Sequence, residues 1–191
     1  MSTIDIQPAA RVATVREYYL QRKMREVAQL NAAGADIISL GIGGPDMPPP
    51  QAAIDTLCAQ ARRPDTHGYQ LGSGLPEMRR AFARWYGERF GVSLDADSEI
   101  MPLIGSKEGI VHVSLTFLNP GDGVLLPNPG YPTYTSVSRL VGADIRYYDL
   151  REDCGWTPDF EALEHADLSG VKIMWTNYPN MPTGGNARRE T

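Results

Sequence analysis

The chain has 191 residues, which is long enough for one domain with a hydrophobic core. Hydrophobic residues make up 42% and charged residues 21% of it, proportions typical of a soluble globular protein, and the net charge of −5 argues against a broad nucleic-acid-binding surface. No apolar run approaches the roughly 20 residues that span a bilayer, and the N-terminal residues lack the apolar core of a signal peptide.

The cysteines and histidines show no spacing that would hold a metal. Cys58 and Cys154 lie far apart and form no CxxC motif, so we expect reduced thiols in a cytoplasmic protein rather than a disulfide or metal site. The three histidines, His67, His112 and His165, are interpreted as structural or surface residues.

The first part of the chain divides at a proline-rich stretch. Apolar residues at helical spacing predict a helix over residues 12–33. Prolines between positions 45 and 50 exclude regular structure there, because proline lacks the N–H donor. We therefore predict a boundary between an N-terminal arm, residues 1–45, and a main domain, residues 46–191.

Two helices are predicted next, over residues 50–61 and 76–90. The apolar stripe of the second helix is expected to belong to the core; it consists of Met78, Phe82, Trp85 and Tyr86. From there the chain alternates between predicted strands and helices: strand 99–104, helix 107–118, strand 123–127, helix 132–141, strand 144–148, helix 158–165 and strand 171–176. This alternation, with nearly continuous apolar runs in the strands, predicts an α/β domain with a mostly parallel sheet.

Ligands of such sheets bind at the carboxyl ends of the strands, which directs attention to three loops. In the loop 105–109, a helix start could bind a phosphate, with Ser106 donating a hydroxyl and Lys107 adding a charge. The alternative is a serine-capped helix with a solvated lysine, and this segment alone does not decide between them. In the loop 128–134, Tyr131 could stack on a planar ligand, although a packed turn is the favoured interpretation of that segment alone. The loop 177–184 offers amide side chains near the same sheet edge.

Taken together, these segments resemble the fold type I, or aspartate aminotransferase, fold and its class I/II aminotransferases. The resemblance rests on five motifs in the family's order: LGIGGPD, HGYQLGSGLPEMRRAFARWY, IGSKEGI, NPGYPTY and NYPNMPTGG. It covers about residues 35–191 and is nearest to the branch of the LL-diaminopimelate aminotransferases. It implies part of the large domain of this fold, an incomplete three-layer sandwich that binds pyridoxal 5'-phosphate (PLP).

The resemblance also implies roles for single residues. Ser106 and Lys107 match the cradle of the cofactor's phosphate, and Tyr131 matches the aromatic that stacks on its ring. Tyr69 matches a tyrosine that reaches the phosphate in the partner subunit, which implies a homodimer with shared active sites. Gly43 and Tyr18 match substrate-contacting positions of the arm region.

One position departs from the family's pattern. Members usually carry asparagine directly before Pro-Thr-Gly, where it bonds the ring hydroxyl of PLP, whereas this chain has Met181 there and Asn180 one place earlier. A thioether is a weak acceptor and no donor. Either Asn180 binds the cofactor from its shifted position or the ring hydroxyl lacks this bond.

The family's Schiff-base lysine has no counterpart in the sequence. None of the three lysines, Lys23, Lys107 and Lys172, matches that segment, so we expect the lysine to lie beyond Thr191 and no catalytic residue to lie before it.

This expectation makes the chain an N-terminal fragment that is inactive alone. Its parent is expected to transfer an amino group from an amino acid to a 2-oxo acid in amino-acid metabolism. The alternatives are a non-catalytic PLP-fold binding or regulatory module, and another fold type I enzyme such as a C–S lyase or decarboxylase. The sequence does not identify the amino donor.

Overall fold

A computed structural model describes residues 6–15, 17–41, 43–69 and 72–189. The chain divides into two compact units, the first Met1–Arg16 with Ile104–Thr191 and the second Glu17–Leu103. The two compact units do not test the predicted boundary between an arm of residues 1–45 and a large domain of residues 46–191. That boundary stays a prediction. None of the helices in the described ranges is both long and apolar enough to cross a membrane.

The first unit contains a parallel three-stranded sheet in the order β2-β1-β3. In chain order its elements are α4 (Ser106–Phe117), β1 (Gly123–Asn128), α5 (Pro132–Val141), β2 (Asp144–Asp149), α6 (Phe160–His165) and β3 (Val171–Met174). Short 3₁₀ turns at Ala10–Thr14 and Glu152–Cys154 belong to the same unit.

The central strand β1 is buried on both faces, which explains its continuous apolar run. Val124 and Leu126 face a cluster built from α4 and α5, which includes Ile110 and Val137. Leu125 faces the opposite way, where Tyr148 and Leu150 pack with Trp156 and Leu163, the latter from α6. Helices therefore lie on both faces of a parallel sheet, which confirms the predicted α/β layered architecture.

The second unit holds three helices, α1 (Tyr19–Ala32), α2 (Gln51–Ala61) and α3 (Pro76–Phe90). The prediction that the α3 stripe is buried was wrong for the described residues, because Phe82, Trp85 and Tyr86 are 40 to 50% exposed. Within their own unit these rings contact one another instead, with Trp85 meeting Tyr86 and Phe90 edge to face.

Other differences concern element boundaries and one strand. Residues 99–104 do not form the predicted strand, because a strand is defined by pairing and this segment shows no strand pairing among the described residues. The helix predicted over residues 12–33 begins only at Tyr19. Helix α6 begins after Asp159, whose carboxylate accepts a hydrogen bond from the Ala162 N–H at 2.9 Å, rather than after Thr157.

Candidate cofactor site

No side chain caps the N-terminus of helix α4. Gly105 occupies the N-cap position. Ser106 is the first residue of the helix rather than its cap, so the serine-capped alternative is not what the structure has. Lys107 forms no ion pair with any described residue. A helix start without a cap offers N–H groups and the positive end of the dipole to an anion.

Glu108 fixes the turn that leads into α4. Its carboxylate accepts a hydrogen bond from the Ile104 N–H at 2.7 Å and contacts His112 Nε2 at 3.4 Å. The bond from Ile104 holds the pKa of this carboxyl below its usual value. The Glu108 carboxylate is thereby bonded to the chain that precedes α4.

A cavity of about 610 Å³ lies at this helix start. Its lining brings together three of the predicted residues, and it consists of Ile104, Gly105, Ser106, Lys107, Glu108 and Tyr131. A Cβ at Gly105 would meet no atom within 4 Å, so the space beside the helix start is open to a ligand. The cavity therefore combines anion-binding groups with an aromatic ring.

Tyr131 is held by aromatic neighbours behind it. Its ring meets Tyr134 edge to face at 5.7 Å between centroids, and Tyr134 stacks on Trp175 at 5.1 Å. Tyr134 is buried at 7% exposure, whereas Tyr131 is only half-buried. The stack leaves part of the Tyr131 ring accessible to a planar ligand.

The turn before Tyr131 requires a glycine. A Cβ at Gly130 would lie 2.5 Å from the carbonyl oxygen of Pro127, closer than atoms can approach. The Asn128 side chain donates to Asp149 Oδ1 at 2.8 Å, which joins the end of β1 to the end of β2. These contacts set the direction in which the chain presents Tyr131.

The turn after β3 encloses Asn180. This residue is only 2% exposed; its side-chain oxygen accepts from the Thr183 hydroxyl at 2.8 Å, and its backbone N–H donates to the Gly185 carbonyl at 2.7 Å. Its Nδ2 is buried without a partner among the described residues. Met181, by contrast, is 41% exposed. Because water does not reach Nδ2, a ligand in an open cavity reaches it only if the side chain moves.

The remaining predicted residues lie in the second unit. Tyr69 is fully exposed, Tyr18 is 47% exposed at the start of α1, and Gly43 has open space around its Cα. The cavity at α4 belongs to the first unit, and the roles of these three residues stay predictions.

Lysines other than Lys107 are engaged elsewhere. Lys23 pairs with Glu26 at 2.7 Å in α1, and Lys172 pairs with Asp122 at 2.7 Å beside β1. The position of the family's Schiff-base lysine stays a prediction, because no described residue tests it. The described residues contain no cluster of His, Cys, Asp or Glu side chains that could hold a metal ion.

Sequence reasoning missed three supporting residues of the site. The glutamate three places after Gly105 is a helix-start signal that could have identified Glu108. Tyr134 and Trp175 gave no such signal, because their stacking joins residues 41 positions apart in the sequence, from 134 to 175.

Comparison with known proteins identifies the family to which the sequence is similar. The model of the family described as aminotransferase class I and II matches residues 35–191. The LL-diaminopimelate aminotransferase of Dehalococcoides mccartyi (strain ATCC BAA-2266) is 44% identical over 177 residues, which are 93% of this chain and 46% of that protein. That of Nitratidesulfovibrio vulgaris is 43% identical over 97% of this chain and 48% of its own length.

Solved structures are similar over the same part. Apo-BacF from Bacillus subtilis superposes with a TM-score of 0.89 at 35% identity, over 97% of this chain and 47% of that one. Alanine aminotransferase from Pyrococcus furiosus gives a TM-score of 0.86 at 26% identity, over 96% of this chain and 47% of its own. The chain thus spans about half the length of the curated relatives it matches.

Proposed function

The chain belongs to the class I and II aminotransferases, and on this premise we propose that it supplies the cofactor cradle of an enzyme that transfers an amino group from an amino acid to a 2-oxo acid. The family is PLP-dependent, as are its LL-diaminopimelate aminotransferases. The observation that carries the proposal is the cavity at the start of α4, where an uncapped helix end, an ammonium group and an aromatic ring meet.

The residues present fit the phosphate of PLP. A phosphate carries about −1.5 to −2 charges near pH 7, and a helix N-terminus stabilises an anion by about 0.3–1 kcal/mol, rising to about 2 in partly buried geometry. Ser106 adds a hydroxyl donor and Lys107 a positive charge. The carboxylate that lines the cavity, Glu108, does not compete for this place, since it is bonded to the Ile104 N–H.

The residues also fit the ring. Tyr131 is held edge-on by Tyr134 and lies beside the phosphate-binding groups, so it would orient the cofactor's plane. In the conformation described, the ring hydroxyl would receive no hydrogen bond from the side chains of Met181 and Asn180, because the thioether has no donor and Nδ2 of Asn180 is enclosed. Asn180 serves the ring only if its side chain turns outward.

When bound, PLP stabilises negative charge at the amino acid's Cα. The described residues would hold and orient the cofactor, but besides Lys107 they offer no uncommitted amine to move the proton of that carbon. We assign the proton transfer to a lysine in the part of the family's length that this chain does not match.

The substrate and the oligomeric state are proposed from the relatives. Relatives named LL-diaminopimelate aminotransferase make LL-diaminopimelate the first amino donor to test, with the Gly43 backbone at its carboxylate and Tyr18 as a further substrate contact. A homodimer would let the exposed Tyr69 reach the phosphate bound by a second copy. Two unpaired cysteines support a reducing compartment such as the cytoplasm.

The test uses the product of the complete reading frame, loaded with PLP. An amino acid labelled with ¹⁵N is added without any 2-oxo acid, and a transaminase releases one equivalent of the matching 2-oxo acid per site and then stops. Adding a 2-oxo acid restarts it and moves the label to the new amino acid. Continuous release of ammonia, sulfide or carbon dioxide would identify a lyase or decarboxylase, and no reaction with PLP or amino acids would refute the proposal.

A further inference from the structure

Tyr69 lies on a loop between α2 and α3 and is open to solvent. Its relative exposure is 101%, the highest among the large hydrophobic side chains of the described residues. An aromatic side chain presented in this way needs a firmly held loop if it is to meet a ligand at a fixed place.

The loop is held on its α2 side by two polar side chains. The Thr66 hydroxyl lies 2.9 Å from the Gln60 carbonyl oxygen and 3.0 Å from that of Arg63, and His67 Nε2 lies 3.0 Å from the Ala61 carbonyl oxygen. The last carbonyl groups of a helix have no partner inside it. The loop therefore starts from a fixed helix end.

On its α3 side the loop is held by Arg79. This residue is 7% exposed, the one buried residue of that helix within the described part of the chain. Its Nη1 donates to the carbonyl oxygens of Ser73 and Gly74, at 3.1 Å and 2.6 Å. On the other side, its Nε donates to the Ala96 carbonyl at 2.8 Å and its Nη2 to Asp97 Oδ1 at 3.0 Å.

These contacts depend on the planar guanidinium group of arginine. A planar fork can bond acceptors on two sides at once, whereas an ammonium group is a point charge on a flexible stem. Asp97 is 80% exposed, so this ion pair is weakened by water and does not account for burying the guanidinium. The burial of the guanidinium is instead explained by its hydrogen bonds to three carbonyl groups, those of Ser73, Gly74 and Ala96.

We propose that Arg79 is a positioning residue that, through Ser73 and Gly74, fixes the loop carrying Tyr69 for contact with the phosphate bound in a second copy of the chain. This inference rests on the proposed function. It assigns to Arg79 a task in cofactor binding without contact to the cofactor.

The test is a double-mutant cycle in the complete gene product, with the PLP dissociation constant measured by equilibrium dialysis and the melting temperature measured in parallel. Removing one hydrogen bond to a phosphate in Tyr69→Phe should weaken PLP binding about tenfold. Arg79→Lys should weaken it to a similar extent, and in the Tyr69→Phe background it should have no further effect on PLP. Arg80→Lys is the matched control, because Arg80 lies on the same helix in an exposed pair with Glu77, and it should leave PLP binding unchanged.

The outcomes separate this inference from the proposed function. If the wild-type protein binds no PLP, the proposed function fails. If it binds PLP but the effects of Arg79→Lys and Tyr69→Phe add independently, or Arg79→Lys lowers only the melting temperature, the positioning role is wrong and the proposed function stands. Should Arg79→Lys not fold, Gly74→Ala disturbs the backbone whose carbonyl Arg79 binds, since a Cβ there would meet Pro102 at 3.1 Å and the residue has φ +75°. It should weaken PLP binding in the same Tyr69-dependent way.

Discussion

Replacing Met181 with asparagine should tighten PLP binding. Met181 is 41% exposed and belongs to neither core cluster, so stability should fall by no more than about 1 kcal/mol. The new amide can donate to the ring hydroxyl oxygen, and a hydrogen bond to a charged group contributes about 1.5–3 kcal/mol. Ordering the side chain offsets about 0.5–1.5 kcal/mol of this. The net gain is about 1 kcal/mol, or roughly a fivefold lower dissociation constant.

The assay is equilibrium dialysis of PLP against the complete gene product, combined with the absorbance spectrum of the bound cofactor, which should shift when the ring hydroxyl gains a donor. Met101→Asn is the control, because Met101 is also exposed outside regular structure and does not line the cavity. If Met181→Asn changed neither quantity while Asn180→Ala weakened PLP binding and shifted the spectrum, Asn180 would supply the bond and the enclosed position inferred for its amide would be wrong.

Three further predictions concern the supports of the site. Gly130→Ala should cost stability and PLP affinity together, because its Cβ would lie 2.5 Å from the Pro127 oxygen; a variant that melts and binds PLP like the wild type would contradict this. Tyr148→Phe removes the hydroxyl that donates to the Trp175 carbonyl at 2.7 Å, and thermal unfolding should show a loss of about 0.5–1.5 kcal/mol, whereas Tyr147→Phe, at a half-exposed ring, should show less. The pKa of Glu108 is lowered by the Ile104 N–H, so its contribution to stability is present above the unfolded-state pKa of about 4.3 and is lost as pH falls through the folded-state pKa. Melting curves of Glu108→Gln should therefore depend less on pH in the acid range than those of the wild type, and an identical dependence would refute this role.

The sheet could be predicted from local patterns because its central strand is buried on both faces. Val124, Leu125 and Leu126 form a continuous apolar run, and β1 lies at the centre of the three strands. The loop at the end of β1 was also predictable, and its Tyr131 lines a single cavity with Ser106 and Lys107 from the start of α4.

What the sequence could not predict depends on contacts between distant residues. Residues 99–104 have the composition of a strand, but a strand forms only where a neighbour pairs with it. Arg79 resembles other surface arginines in sequence, and its burial follows from carbonyl groups of residues 73, 74 and 96. Likewise, the sequence shows that the asparagine stands one place earlier than in the family, at Asn180, with Met181 in its usual position. It does not show that the Asn180 amide is enclosed by its own turn.

The central claim, that the start of α4 binds the phosphate of PLP, is tested most directly by the PLP affinity of Lys107→Ala in the complete gene product. An ammonium about 4 Å from a phosphate contributes about 1 kcal/mol per unit of phosphate charge in water, so the dissociation constant should rise roughly 10- to 30-fold. Lys23→Ala removes an equal charge from the exposed pair with Glu26 and should leave the affinity unchanged. Equal affinities of Lys107→Ala and Lys23→Ala for PLP would contradict the account.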